Sequence, residues 1–185
     1  TYAFLTYING YKNEIIKSQY ITIFSWMENL LERESIKRVI KKLEEFDASL
    51  KVEILNSSAR TAEDAALSLN CQVGAIVKSL LLRANDNFIL CLVSGDKRCS
   101  LNKIKKIINM RDVSMADAEQ VKNQTGFSIG GVSPIGHMKK INILIDKSLS
   151  RFEYVYAAAG HPHSIFKITY NQLVKLTNAK EEDII

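Results

Sequence analysis

Lys78 stands inside Ile76-Val77-Lys78-Ser79-Leu80-Leu81-Leu82, a run whose other members suit a buried strand. An ammonium group is costly to bury without partners. This lysine therefore either carries its charge to solvent on a flexible stem, or occupies a cleft that offers anions or carbonyls. A second candidate is the segment TGFSIGGVSPIGH at residues 125–137, where Gly126, Gly130, Gly131 and Gly136 leave backbone N–H groups unhindered. Such a segment can cradle a carboxyl group, a phosphate or a developing oxyanion, or it can be a turn-rich connector. The third is Gly160-His161-Pro162-His163, in which glycine and proline fix the backbone around two imidazoles. These suit proton transfer, or are loop histidines bonded to backbone.

Several chemistries lack their devices. The phosphate-binding pattern G-x-x-x-x-G-K-[ST] is absent, and no G-x-G-x-x-G follows a strand, so no nucleotide cofactor is expected. His137, His161 and His163 lack the spacing and the acidic or thiol companions of a metal site, and no metal is expected. Cys71, Cys91 and Cys99 show no C-x-x-C spacing and read as small core hydrophobes, with Cys99 set apart by its neighbours Lys97 and Arg98.

These groups must be positioned by elements that the pattern outlines. Residues 28–46 place Ile36, Val39, Ile40 and Leu43 on one helical stripe. Residues 52–55 read as a short strand, and Thr61 with Asp64 resembles a capping box that opens a helix through Asn70. Residues 75–83 and 88–94 are strand-like and flank Asn85-Asp86-Asn87, which predicts a buried antiparallel hairpin. Ser100 caps a helix bearing Leu101, Ile104, Ile107 and Ile108; Ser114 with Asp117 opens another toward Gln124. Residues 141–145, 154–158 and 164–169 read as strands and 171–176 as a closing helix. Strands and helices mingle without strict βαβ alternation, which favours an α/β (α+β) fold with a mixed, mostly antiparallel sheet flanked by helices.

With 185 residues and 46% hydrophobic content, the chain suits one buried core. Residues 1–26 have no steady period and read as an N-terminal extension or an element packed on a domain of residues 27–185. The longest apolar runs are strand-length, so no membrane partner is expected, and the cysteine usage fits a reducing cytoplasm. A net charge of +5 suits a polyanionic partner. Lys103, Lys105, Lys106, Lys139, Lys140 and Lys147 are candidate phosphate contacts or a solvated face. Aromatic interleaving is sparse, so a folded RNA end is favoured over single-strand stacking, and DNA is not expected.

The order of Lys78-Ser79-Leu80, the Gly126–Gly136 loop and a late Gly-x-Pro-His resembles the YbaK-like aminoacyl-tRNA deacylases and the prolyl-tRNA synthetase-associated editing domains. The phrases TAEDAA at 61–66, LVSGD at 92–96 and AAAGHPHSIF at 157–166 extend the resemblance over roughly residues 30–180. It implies a YbaK-like fold and a hydrolase acting in trans on the ester of mischarged aminoacyl-tRNA, without cofactor. It further implies Lys78 as the essential cleft lysine beside Ser79, and Gly130 and Gly131 as backbone donors near the reacting carbonyl. Ser133 and Pro134 would shape the pocket wall, and His163 would orient substrate or water. Gly126, Gly136, Gly160 and His161 complete the expected substrate-binding set. The loop and the Pro-His segment look unlike the cysteinyl-specific branch, which leaves alanine, serine, threonine and small non-protein amino acids. The expected partners are aminoacyl-tRNA, tRNA-Pro or a related one, and a prolyl-tRNA synthetase. A noncatalytic aminoacyl-tRNA or synthetase-binding module and a small amino-acid sensor are the other readings.

Overall fold

The computed structural model describes residues 14–57 and 59–185, with side-chain surroundings from residue 22 onward. The apolar stripe of residues 28–46 is divided between two helices, α1 (Glu14–Leu31) and α2 (Glu34–Phe46). Neither proline nor glycine marks the break at Glu32-Arg33, so periodicity alone runs across it. Chain contacts divide between Glu34 and Ser35, and α1 belongs to the first unit while residues 35–185 form the second. α1 runs through positions 26 and 27, and residues 1–13 of the expected extension lie outside the described residues.

The second unit is built on an eight-stranded mixed sheet, as the mingling of strands and helices predicts. Its strands are β1 (Val52–Ile54), β2 (Ile76–Ala84), β3 (Asn87–Ser94), β4 (Val113–Met115), β5 (Asn142–Asp146), β6 (Val155–Ala158), β7 (Ser164–Ile168) and β8 (Lys180–Glu182). The order is β1-β7-β6-β2-β3-β5-β8, with β4 also on β2. Four pairings are antiparallel (β1–β7, β2–β3, β2–β4 and β6–β7) and three are parallel (β2–β6, β3–β5 and β5–β8). The expected hairpin is β2–β3, with Ala84 opposite Asn87 and Asn85 taking the turn at φ 52°. Asparagine tolerates that left-handed conformation better than most residues.

The strands separate two apolar layers. On one face Val77, Leu81, Leu90 and Leu92 pack with Val39 and Leu43 of α2 and with Leu173 of α6 (Tyr170–Thr177). On the other, Leu82, Ile89, Cys91 and Val93 meet Ile104 of α4 (Leu101–Ile107), while Ala62, Ala65 and Ala66 of α3 (Ala62–Leu69) cover Ile76. Thr61 and Ser100 cap α3 and α4 as read from sequence. The cap of α5 (Ala118–Thr125) is Asp117, not Ser114. Asp117 and Gln120 satisfy each other's backbone N–H groups, whereas Ser114 is drawn into β4 opposite Arg83. The three-residue strands β4 and β8 are too short to show alternation in sequence. Buried Asp146 secures the segment after β8 by accepting from the Ile184 N–H at 2.9 Å.

Candidate functional site

β2 is paired with β3 along its whole length, but its other edge is shared. β6 takes Ile76 and Val77, and β4 takes Leu82 to Ala84. Among the described residues, 78–81 have no strand partner on that side. Lys78, Ser79 and Leu80 are also the consecutive half-buried residues of an otherwise mostly buried strand. A cleft of about 400 Å³ opens at this gap. Its lining comes from both faces of the sheet: Ala62, Glu63 and Ala65 from one, Ala116, Val121 and Val132 from the other. The cleft thus passes through an interrupted sheet rather than lying on its surface.

Lys78 enters this cleft, and its ammonium is held there. Its Nζ donates to the carbonyls of Gly95, at 3.0 Å, and of Lys97. Two of its three donors are used and one remains for a ligand. Burial lowers its pKa from the ordinary lysine value, while the charges of Glu63 and Asp96 oppose that shift. The accepting turn is braced in its own right. Arg151 pairs with Asp96 at 2.9 Å, and the Ser94 hydroxyl donates to the Gly74 carbonyl. The Arg151 guanidinium holds the Asp96 carboxyl below its usual range. A side chain at Gly95 has no room, since an added Cβ would stand 2.1 Å from the Val73 carbonyl oxygen.

Ser79 lies on the opposite face of β2 from Lys78. Its hydroxyl is buried and has no hydrogen-bond partner among the described residues, although the residue as a whole is half-buried. What the cleft reaches at Ser79 is therefore its backbone and Cβ.

The glycine loop approaches from across the cleft. Gly130, at φ +89°, lines the cleft with Ile129 and Val132. The other expected contacts of this loop stand back. Gly131 is buried, its N–H donates to the Ser128 carbonyl at 3.0 Å, and an added Cβ would meet the His161 backbone at 2.8 Å. Ser133 and Pro134 are buried and do not line the cleft. Gly126, Gly136 and Gly160 do not line it either. Arg38 of α2 ties the two loop ends together, donating to the carbonyls of Gly136 at 2.9 Å and Gly126 at 3.4 Å, and its guanidinium lies 5.1 Å from the Phe127 ring centroid. Gly160 lets its segment approach the same helix, since a Cβ there would stand 2.7 Å from the Ser35 carbonyl oxygen. α2 is thus a strut against which both loops are set.

His161 lines the cleft and His163 does not. The two rings stack at 5.6 Å; His163 N–H donates to His161 Nδ1 at 3.2 Å, and His163 Nδ1 lies 3.2 Å from the Leu55 carbonyl. With Nδ1 accepting, a neutral His161 carries its proton on Nε2. His137 lies away from the cleft. Its Nε2–H donates to the Ser133 carbonyl at 2.8 Å, and burial, with the nearby Arg38 charge, pushes its pKa down.

The structure therefore brings Lys78, Ser79, Gly130 and His161 together at the cleft, and the remaining expected residues do not line it. It adds Arg60, Thr61 and Glu63 at the start of α3, Met115 and Ala116 at the end of β4, and Tyr156 on β6. The sequence signal for two of these, Thr61 and Glu63, was the TAEDAA phrase, which reads locally only as a helix cap. Cys91 is buried, and contact with half-buried Cys99 raises its thiol pKa. Among the described residues no three His, Cys, Asp or Glu side chains are grouped to hold a metal ion, and no helix is long and apolar enough to cross a membrane.

Comparison with known proteins places this architecture. A family model described as the aminoacyl-tRNA editing domain matches residues 56–176. The chain belongs to the aminoacyl-tRNA editing domain family. The same fold is seen in a crystal structure described as "a putative trans-editing enzyme for prolyl tRNA synthetase", with TM-score 0.77 and 37% identity, covering 82% of this chain and 97% of that one. The Bacillus subtilis protein YwhH is 29% identical over 147 residues, 79% of this chain and 93% of its own length. The proline--tRNA ligase of Thermosipho africanus is 32% identical over 115 residues, 62% of this chain but only 20% of the ligase. The editing domain thus spans about a fifth of the length of such a ligase and nearly all of YwhH.

Two outcomes follow for the supports of this editing domain. Gly95→Ala must displace either Val73 or the turn that holds Lys78, and is expected to cost about 1–3 kcal/mol, read from the urea midpoint. His137 resists protonation when folded, whereas the unfolded residue takes up a proton near pH 6.5. The unfolded state therefore binds more protons, and stability falls as pH drops below about 6.5 until the folded imidazole also protonates. In His137→Gln this component of the pH dependence between pH 7 and 5 should vanish.

Proposed function

We propose that this editing domain is a trans-acting deacylase that hydrolyses the ester between a small amino acid and the 3′ end of a mischarged tRNA, tRNA-Pro or a related one. The observation that carries the reading is the half-buried Lys78 ammonium, fixed by two carbonyls with one donor left, at a cleft cut through the sheet. In the reaction a water adds to the ester carbonyl carbon, the carbon–oxygen bond to the ribose breaks, and the ribose oxygen leaves with a proton. The products are the free amino acid and the tRNA. The remaining Lys78 N–H and positive charge suit the ester or ribose oxygen, on which negative charge develops.

His161 is the imidazole that faces substrate or its attacking water, and His163 supports it by stacking from behind. Gly130 supplies the close backbone approach on the far side, and Val77, Leu81, Val121 and Val132 form the apolar wall for the amino-acid side chain. A cleft of about 400 Å³ that also admits the terminal ribose leaves space for a small side chain. The net charge of +5 favours the tRNA phosphates. The likeness to part of proline--tRNA ligases supports tRNA-Pro as the carrier and a prolyl-tRNA synthetase as a partner, in the cytoplasm where both work.

The test is deacylation of tRNAs charged with Ala, Ser, Thr, Cys and Pro by this protein and by Lys78→Ala and Lys78→Met. Release of a small amino acid, reduced about 10²-fold or more in both variants while they remain folded, is expected. Undiminished release by a folded variant would remove Lys78 from the reaction, and no release from any tRNA despite binding would make the domain a noncatalytic module.

A further inference from the structure

The interrupted edge of β2 carries a recognition element that belongs to no side chain. On an antiparallel strand, alternate residues turn both N–H and C=O toward the same edge. The Leu81 carbonyl accepts from the Ala116 N–H at 3.0 Å, so Leu81 faces the β4–β6 edge, and Ser79, two residues earlier, faces it as well. The β6 pairing ends at Val77 and the β4 pairing begins at Leu82, which leaves the Ser79 N–H and C=O directed into the cleft. Its hydroxyl is not what the cleft meets, because that oxygen is sealed from solvent while the residue is half-buried. Backbone polar groups of a sheet interior are ordinarily paired, so a one-residue gap flanked by two intact ladders is a template for one residue of another molecule.

Building on the deacylase reading, we propose that the aminoacyl group docks in this gap as a single strand residue opposite Ser79. Its α-ammonium donates to the Ser79 carbonyl and its own carbonyl oxygen accepts from the Ser79 N–H. The substrate is thereby recognised by its main chain, as an α-amino acid, and the apolar wall is left to sort side chains by size. The docked carbonyl is that of the ester, and Lys78, the adjacent residue of β2, stands at the same gap. Glu63 is the competing acceptor, since its carboxylate lies in the cleft on the Lys78 side.

Binding distinguishes these acceptors without requiring hydrolysis. The probes are 3′-deoxy-3′-(L-alanylamino)adenosine and its propionylamino counterpart, which lacks the α-ammonium, titrated into the full chain and followed by backbone amide NMR. The alanyl probe is expected to bind at least about tenfold more tightly and to shift the Ser79 amide more than the propionyl probe does. Ser79→Ala, which removes only an unpaired hydroxyl, should keep that preference within about threefold. Equal binding of the two probes, an unmoved Ser79 amide, or loss of the preference in folded Ser79→Ala would each overturn the inference. So would its loss in Glu63→Gln with the Ser79 amide unmoved. Preferential binding without deacylation of any charged tRNA would preserve the inference and contradict the enzyme reading.

Discussion

A lysine ammonium set in the middle of a β-strand needs acceptors, and much of the second unit is arranged to supply them. The acceptors are main-chain carbonyls of the turn after β3, so the turn must be held where the lysine can reach it. Gly95 permits its close approach to the Val73 carbonyl, and the Arg151–Asp96 pair braces it from outside. That exposed ion pair gives little stability of its own, but it restricts the conformations of the turn. Buried without acceptors, the ammonium would be far less favourable. With two carbonyls engaged, it keeps a directed donor at the cleft.

The second constraint is the placement of two loops that approach the same gap from the opposite side. Neither loop is positioned by the sheet alone. Arg38 holds both ends of the glycine loop, and Ser35, one turn away on the same helix, meets the segment that carries His161. Several glycines that resemble substrate contacts in sequence have a structural use of this kind. Gly136 and Gly160 admit the α2 backbone and Gly131 admits that of His161. Catalytic geometry in such a site depends on helix packing well outside the cleft, since small displacements of positioning groups weaken an oriented reaction strongly.

The features legible in sequence were those governed by local rules. Thr61 and Ser100 announced helix starts through their short polar side chains, and Asn85 announced the hairpin through its tolerance of positive φ. Lys78 was legible because a charge in an apolar strand requires explanation. The cap at Asp117 was obscured by Ser114, three residues earlier and equally suitable by type, until pairing with β2 claimed that serine. The cleft itself was not legible. It exists because β4 and β6, separated by about 40 residues in the chain, both pair with β2 and fail to meet. No local pattern encodes a gap between two non-local ladders, and for the same reason the sequence could not separate His161 from His163.

The most direct test of this account is a crystal structure of the chain with a non-hydrolysable aminoacyl-adenosine amide bound. The account predicts the amino acid between β4 and β6, with its carbonyl oxygen or the adjoining ribose within about 3 Å of Lys78 Nζ. An analogue bound outside the gap, or bound within it while Lys78 makes no contact, would contradict the central claim.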